Sequence, residues 1–528
     1  MLKRIFVLLF FAVSLAGLLH AQRAWWVFFK DKNGTTFNPY SYFAPEAIER
    51  RERLHISLYD STDFPVNENY VKAVGEKVTS LGYETRWFNG VGVMATDAQI
   101  AQVKKLPFVR EVVLQTIYNA QTACSQVFPD SMVTAEDGTK RKLSQQIDPM
   151  QGKIFADHSY KGKGIVIAIL DAGFKGADKH EAFKNLRLNN QIRASFDFVK
   201  DNSDVYSTNA DHGTMVLSCI AGMMGQCQMG MAPEATFLLA RIEHEYGNQY
   251  KGEENYVAAV EWSDKSGAMI INCSGGPGER AYFPEQMNGK IPLISRASNM
   301  AASKGILVIA AAGNEGQTNE PNLLPPSDAD SVLSVTAVND DGYVADYSSR
   351  GPLPDFRRKP DVCAPGTAVV ANGKGAYEIA EGTSFSAPLL VGFAACLLQM
   401  YPDLSPMTLA DTMRRSASLY PYYDYSHGYG VPQASWFFQS GGKMQPTFSI
   451  QHTGNSAAVV INENFKPDVT TGELYLLYYS LEDAKGRIYK YKVINIQSLH
   501  PLTISDDDWK AGATLHVFYQ GYYATEKY

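Results

Sequence analysis

The chain has 528 residues, 45% apolar and 20% charged, with a formal net charge of −7. That length exceeds one compact domain. The composition excludes wholesale disorder, and the negative balance excludes an electrostatic nucleic-acid footprint.

Residues 1–21 have the build of an export signal. Lys3 and Arg4 are followed by an apolar run, Ile5 to Leu19, that is shorter than the roughly 20 residues needed to span a bilayer. Leu19-His20-Ala21 offers a cleavage site. No later segment is long and apolar enough to predict a span. Residues 22–114 alternate short strands and helices. Strand-like residues occur at Trp25 to Phe29, Thr85 to Met94 and Val109 to Leu114. Helical patterns occur at Ala44 to Arg53, Val71 to Leu81 and Asp97 to Leu106. This predicts a small α+β unit. Residues 115–150 are polar and read as a linker in which the chain is cut.

From residue 163 the pattern changes. Continuous apolar, β-branched runs recur at Ile165 to Leu170, Thr236 to Ala240, Ala268 to Asn272, Ile306 to Ala311 and Val332 to Val338. Helical stretches such as Asn255 to Lys265 and Ile294 to Lys304 separate them. Strands buried on both faces and alternating with helices predict an α/β doubly wound, mostly parallel sheet over 151–440. Gly441-Gly442 reads as a joint. Residues 445–528 hold strand-like runs at Ser456 to Ile461, Leu474 to Tyr479, Ile488 to Val493 and Thr514 to Tyr519, which predicts a small β-sandwich.

Six cysteines are present, with no C-x-x-C pair to suggest a zinc or redox site. Cys219 and Cys227 are close enough in sequence to pair, whereas Cys273 and Cys396 lie in apolar runs and read as buried thiols.

Acyl transfer by a serine needs a hydroxyl nucleophile, an imidazole base, a carboxylate to orient the imidazole, and donors for the oxyanion. Asp171 follows the strand 165–170, at the carboxyl end where reactive groups of open α/β sheets gather. His212 lies in Asp211-His212-Gly213-Thr214, ahead of an apolar helical stretch. Ser384 lies in Gly382-Thr383-Ser384-Phe385-Ser386-Ala387-Pro388, at the start of an apolar helix whose free N–H groups favour developing negative charge. Asn314, in Ala312-Gly313-Asn314-Glu315-Gly316, follows another strand end. A turn, a cap or a core position explains each one alone. Together, in the chain order Asp, His, Ser, such explanations are poor.

These strings resemble the signature motifs of the subtilase family, over roughly residues 145–440. The resemblance implies a secreted serine endopeptidase with Asp171, His212 and Ser384 as catalytic triad and Asn314 in the oxyanion hole. It implies Ser274-Gly275-Gly276 as the edge that pairs with extended substrate, although subtilases usually carry Leu where Gly275 stands. It also implies that residues 22–114 are an inhibitory propeptide, with an insertion near 55–69, and the layout resembles that of Bacteroidetes-type members. Protein or peptide substrates and the chain's own propeptide are then the expected partners. The competing reading is an inactive subtilase-like scaffold, against which the intact triad argues. A metallohydrolase fits poorly: His244-Glu245 begins a zinc-helix-like string, but Asn248 replaces the second histidine. No metal or cofactor is called. Calcium is common among subtilases, yet Asp328, Asp330 and Asn339-Asp340-Asp341-Gly342 read as turns.

Overall fold

The computed structural model describes residues 22–116, 118–120, 126–128, 143, 145–244, 247–249, 251–275, 281–439, 445–453, 456–468, 470–497, 501–505 and 508–528. The expected export segment, most of the 115–150 linker and the Gly441-Gly442 joint lie outside them.

The N-terminal unit runs β1 (Arg23–Phe29), α1 (Pro45–Arg53), α2 (Glu68–Gly75), β2 (Ser80–Thr85), β3 (Gly90–Ala95), α3 (Asp97–Val103) and β4 (Val109–Leu114). Its strands form one antiparallel sheet in the order β2-β3-β1-β4. Successive side chains of a strand face opposite ways. Val27 and Phe29 therefore enter the unit's own core with Val74, Ile100 and Val103. Trp26 and Phe28 face the other way and join a core shared with the next unit. The helix expected over 71–81 ends at Gly75, and Ser80 and Leu81 pair with Met94 and Val93 instead. Asp97 opens α3, but the cap is Thr96, which forms a capping box with Gln99.

Two short strands follow, β5 (Tyr118–Ala120) and β6 (Gln126–Phe128). The central body then contributes β7 (Val166–Asp171), β8 (Ile192–Asp197), α4 (His212–Ala221), β9 (Thr236–Arg241), β10 (Gly247–Gln249), α5 (Gly252–Lys265), β11 (Ile270–Cys273), α6 (Leu293–Ser303), β12 (Leu307–Ala311), β13 (Val332–Val338), β14 (Val362–Pro365), β15 (Thr367–Ala371), β16 (Tyr377–Glu381), α7 (Thr383–Met400) and α8 (Pro406–Arg415). Seven strands form one parallel sheet in the order β14-β13-β12-β11-β7-β9-β8. Every residue of β7 is buried. Ile167 and Ile169 pack toward α4 and α7, whereas Val166, Ala168 and Leu170 pack toward α5 and α6. α7 is long and apolar enough to cross a membrane but is mostly buried inside this body.

β5 pairs antiparallel with β10, and β6 pairs with β16 of the β15-β16 hairpin. The C-terminal unit has two antiparallel sheets. One holds β17 (Phe448–Thr453), β18 (Ser456–Ile461) and β21 (Leu502–Ile504). The other holds β19 (Leu476–Glu482), β20 (Ile488–Asn495), β22 (Thr514–Tyr519) and β23 (Tyr522–Lys527), in the order β20-β19-β22-β23. Their facing side chains close a separate core around Trp509, Leu515 and Val517.

Five cysteines are described, and all are free thiols. Cys219 and Cys227 do not pair, because Cys219 is buried inside α4 while Cys227 is exposed on a hairpin.

Candidate active site

The strand ends and two helix starts bring the sequence candidates together. Asp171 is the last residue of β7 and is fully buried. Its Oδ1 accepts from the Ala172 backbone N–H and from His212 Nδ1, each at 2.8 Å. His212 opens α4. A side chain at Gly213 would stand 2.7 Å from the Gly173 carbonyl, so only glycine lets α4 start this close to β7. Burial disfavours the imidazolium, but the Asp171 charge and hydrogen bond outweigh it and hold His212 above its ordinary range. The bond at Nδ1 fixes the ring, and Nε2 has no protein partner.

Ser384 lies in the first turn of α7. The next residue, Phe385, has its ring centroid 6.0 Å from that of His212, so the two helix starts adjoin. The Ser384 hydroxyl donates to the Ser274 carbonyl at 2.8 Å, and the Ser274 hydroxyl donates to the Ser384 carbonyl at 3.0 Å. The Ser384 side chain is thus turned to the β11 edge, and no hydrogen bond joins it to His212 Nε2. Loose catalytic hydrogen bonds are usual before substrate arrives.

Asn314 follows β12. Its Oδ1 accepts from the backbone N–H and hydroxyl of Thr383, at 3.1 and 3.0 Å. The amide is therefore anchored one residue before Ser384. Ser274 and Gly275 extend β11 beside Ser384, whereas Gly276 lies outside the described residues. His244 is exposed and reaches Arg241, and Glu245 is not described. Asp328 accepts from Ser295 and Gly289, and Asp330 pairs with Arg357. Among the described residues, no group of three or more His, Cys, Asp or Glu is placed to hold a metal.

One group was not anticipated from sequence. Glu243, two residues past β9, is buried beside Asp171 and His212, and its Oε1 lies where a side chain at Gly275 would be. The unusual Gly275 was the available signal.

The Subtilase family profile matches residues 162–430, just over half of the chain. The chain belongs to the subtilase family. A profile described as the Peptidase S8 propeptide domain of Bacteroidota matches residues 24–127 of this subtilase. Serine protease AprX of Bacillus subtilis is 29% identical over 286 residues, which cover 48% of this chain and 61% of that protein. Subtilisin E of Bacillus subtilis is 27% identical, over 55% of this chain and 71% of its own. Fervidolysin from Fervidobacterium pennivorans, described as a keratinolytic enzyme related to subtilisin, superposes with a TM-score of 0.55 at 18% identity. That superposition covers 94% of this chain and 70% of the other, and it establishes a shared fold.

Proposed function

We propose that this subtilase is an exported serine endopeptidase made as a zymogen, with Ser384 as nucleophile, His212 as general base and Asp171 as its orienting carboxylate. The observation that carries the reading is the buried Asp171–His212 hydrogen bond of 2.8 Å, set beside the helix start that bears Ser384. In the reaction, Ser384 Oγ leaves the Ser274 carbonyl and turns to His212 Nε2. His212 takes its proton as the oxygen attacks the peptide carbonyl. Asp171 keeps the proton on Nδ1 and stabilises the imidazolium. The Asn314 amide and the Ser384 backbone N–H serve the oxyanion. His212 then gives its proton to the leaving amine, and water releases the acyl group by the same steps reversed. A fluorophosphonate should label the processed protein, and Ser384→Ala should abolish both labelling and casein turnover. Persistent labelling of that variant overturns the assignment.

The zymogen reading rests on the N-terminal tail. In the intact chain Ser384 has no exposed surface. β5 lies on β10 and β6 lies on β16, so residues 118–120 and 126–128 are held by two different strands of the body. Processing is expected within 121–125, the narrow part of the linker that sequence analysis placed at 115–150. Mass spectrometry of active protein should find its N-terminus there, while Ser384→Ala should stay uncut. An active protein that begins at Gln22 overturns this reading.

A further inference from the structure

β7 lies between β9 and β11, and the three strands end at Asp171, Arg241 and Cys273. Glu243 is two residues past β9, and Gly275 is two residues past β11. A Cβ at Gly275 would stand 2.3 Å from Glu243 Oε1. The Glu243 side chain therefore crosses the end of β7, where Asp171 sits. Any side chain at 275 would drive it away. The missing leucine of the subtilase triplet and the buried glutamate are two halves of one arrangement.

Glu243 is only 6% exposed. Its Oε2 has no protein hydrogen-bond partner, and neither has Oδ2 of the neighbouring Asp171. Asp171 has two donors at its other oxygen, and a buried second negative charge beside it is strongly disfavoured. The titratable groups facing Glu243 are Asp171 from β7, His212 from α4 and the Cys273 thiol from β11. Burial keeps that thiol neutral. From α5, Asn255 brings only an amide, which donates to the Ile242 carbonyl at 2.9 Å. On Glu243's own strand, Arg241 is engaged by Asp197 at 2.8 Å and by the Ala172 carbonyl at 2.9 Å. One imidazole thus faces two carboxyl groups. Burial first, and the Asp171 charge second, push Glu243 up to about 8.

We propose that Glu243 is a positioning residue of the catalytic unit: a carboxyl that stays protonated while Asp171 is ionised, so that a single negative charge orients His212. It touches neither substrate nor reacting atoms and acts through Asp171. This inference rests on the triad reading above, and its test is chosen to be independent of turnover.

The test is proton NMR of the full chain carrying Ser384→Ala, following the His212 Nδ1–H resonance with pH. Two steps are expected, one for the imidazole and a smaller one near pH 8, as Glu243 ionises. Adding Glu243→Gln, which keeps shape and neutrality, should erase the second step alone. In the enzyme with Ser384, Glu243→Leu should lower kcat about tenfold with KM within about twofold, and Glu243→Gln should restore most of it. The wild-type pH profile of kcat/KM should carry an inflection near pH 8 that Glu243→Gln lacks. A single titration step, unchanged by Glu243→Gln, overturns the proposal. So does a change confined to KM, which would make Glu243 a wall of the substrate cleft. If Ser384→Ala left turnover intact, the triad reading would fail while the NMR steps still reported on Glu243.

Discussion

The central body is gripped from two sides by two very different surfaces. On the N-terminal side an apolar patch of Trp26, Phe28, Trp87 and Phe88 is joined by a network of buried charges. Arg50 and Arg51 of α1, both fully buried, converge on Asp264 of α5. Arg51 also meets Asp63 at 2.7 Å, and Lys304 meets Asp63 at 3.0 Å and Asp60 at 2.9 Å. Along the same helix, Glu254 accepts from the Tyr83 N–H and from Gln115, and Glu261 accepts from the N–H of Arg86. Gly82 and Gly92 have no side chains to obstruct Glu254. On the C-terminal side the seam is aromatic. Tyr422 of the body packs 5.9 Å from Tyr478 and 6.4 Å from Phe518, and Tyr423 and Tyr425 cluster with Ile488. The lesson is about what each surface becomes once it is bared. Arginine, aspartate and glutamate are at home in water, so the charged part of the first interface is solvated once it opens, although Trp26, Phe28, Trp87 and Phe88 are bared with it. A tyrosine and phenylalanine seam would leave an adhesive apolar patch.

The sharpest way to break this contrast is Asp264→Ala. It takes the ion-pair partner from buried Arg50 and one of two from buried Arg51, and removing one partner of a buried pair costs about 3–5 kcal/mol. In the uncut Ser384→Ala chain, urea should then release the N-terminal unit well before the body unfolds, as read by limited proteolysis. A change under about 1 kcal/mol would mean that the network does not hold the unit.

Phe518→Ala probes the other seam. Truncating a buried phenylalanine costs about 3 kcal/mol. Here it should lower the unfolding temperature and raise dye binding to exposed apolar surface, without changing release of the N-terminal unit. Equal effects on both ends of the molecule would dissolve the comparison.

How far sequence reaches follows the same division. The uninterrupted apolar runs of β7, β9, β12 and β13 announce a parallel sheet because both of their faces are buried. β8 was missed because it is an edge strand whose residues Arg193 to Phe196 are half-buried or exposed. Thr383, the anchor of Asn314, sits inside a motif already singled out. Arg50-Arg51 give no sign of their role in the sequence, because their burial is decided by Asp264, more than two hundred residues away. The region near 55–69 read as an insertion, and it supplies Asp60 and Asp63 to the network. Glu243 resembles any glutamate after a strand until Gly275 is placed opposite it. Periodicity records what is buried in apolar company, and it is silent about charges buried against each other.

The charged interface should also respond to pH. Burial pushes Glu261 up to about 7 from its ordinary 4.5, although Thr85, Arg86 and Trp87 donate to it. Those donors belong to the N-terminal unit and leave with it. A carboxyl raised in the docked state favours docking when protonated. That contribution is fully present below about pH 4.5 and is lost as pH rises through about 7. Asp60, held at about 2, stays ionised across the same range. Docking in the Ser384→Ala chain should therefore weaken by up to about seventyfold from pH 5 to pH 8. Glu261→Gln should flatten that dependence. A docking equilibrium that tightens with pH would show that the interface wants its carboxylates ionised.

The smallest effect is expected where a charge touches the aromatic seam. Arg358 meets Glu482 of β19 at 3.0 Å and lies 5.5 Å over the ring of Tyr423. Its side chain is 45% exposed, so water and salt screen the pair. Arg358→Ala should change the stability of the C-terminal seam by only about 0.5 kcal/mol. Raising ionic strength to about 0.5 M should shrink that difference further. The Asp264→Ala effect should hardly move under the same salt, because its partners are buried beyond the reach of counterions. If salt instead erased the Asp264 effect and spared that of Arg358, the two surfaces would have their roles exchanged.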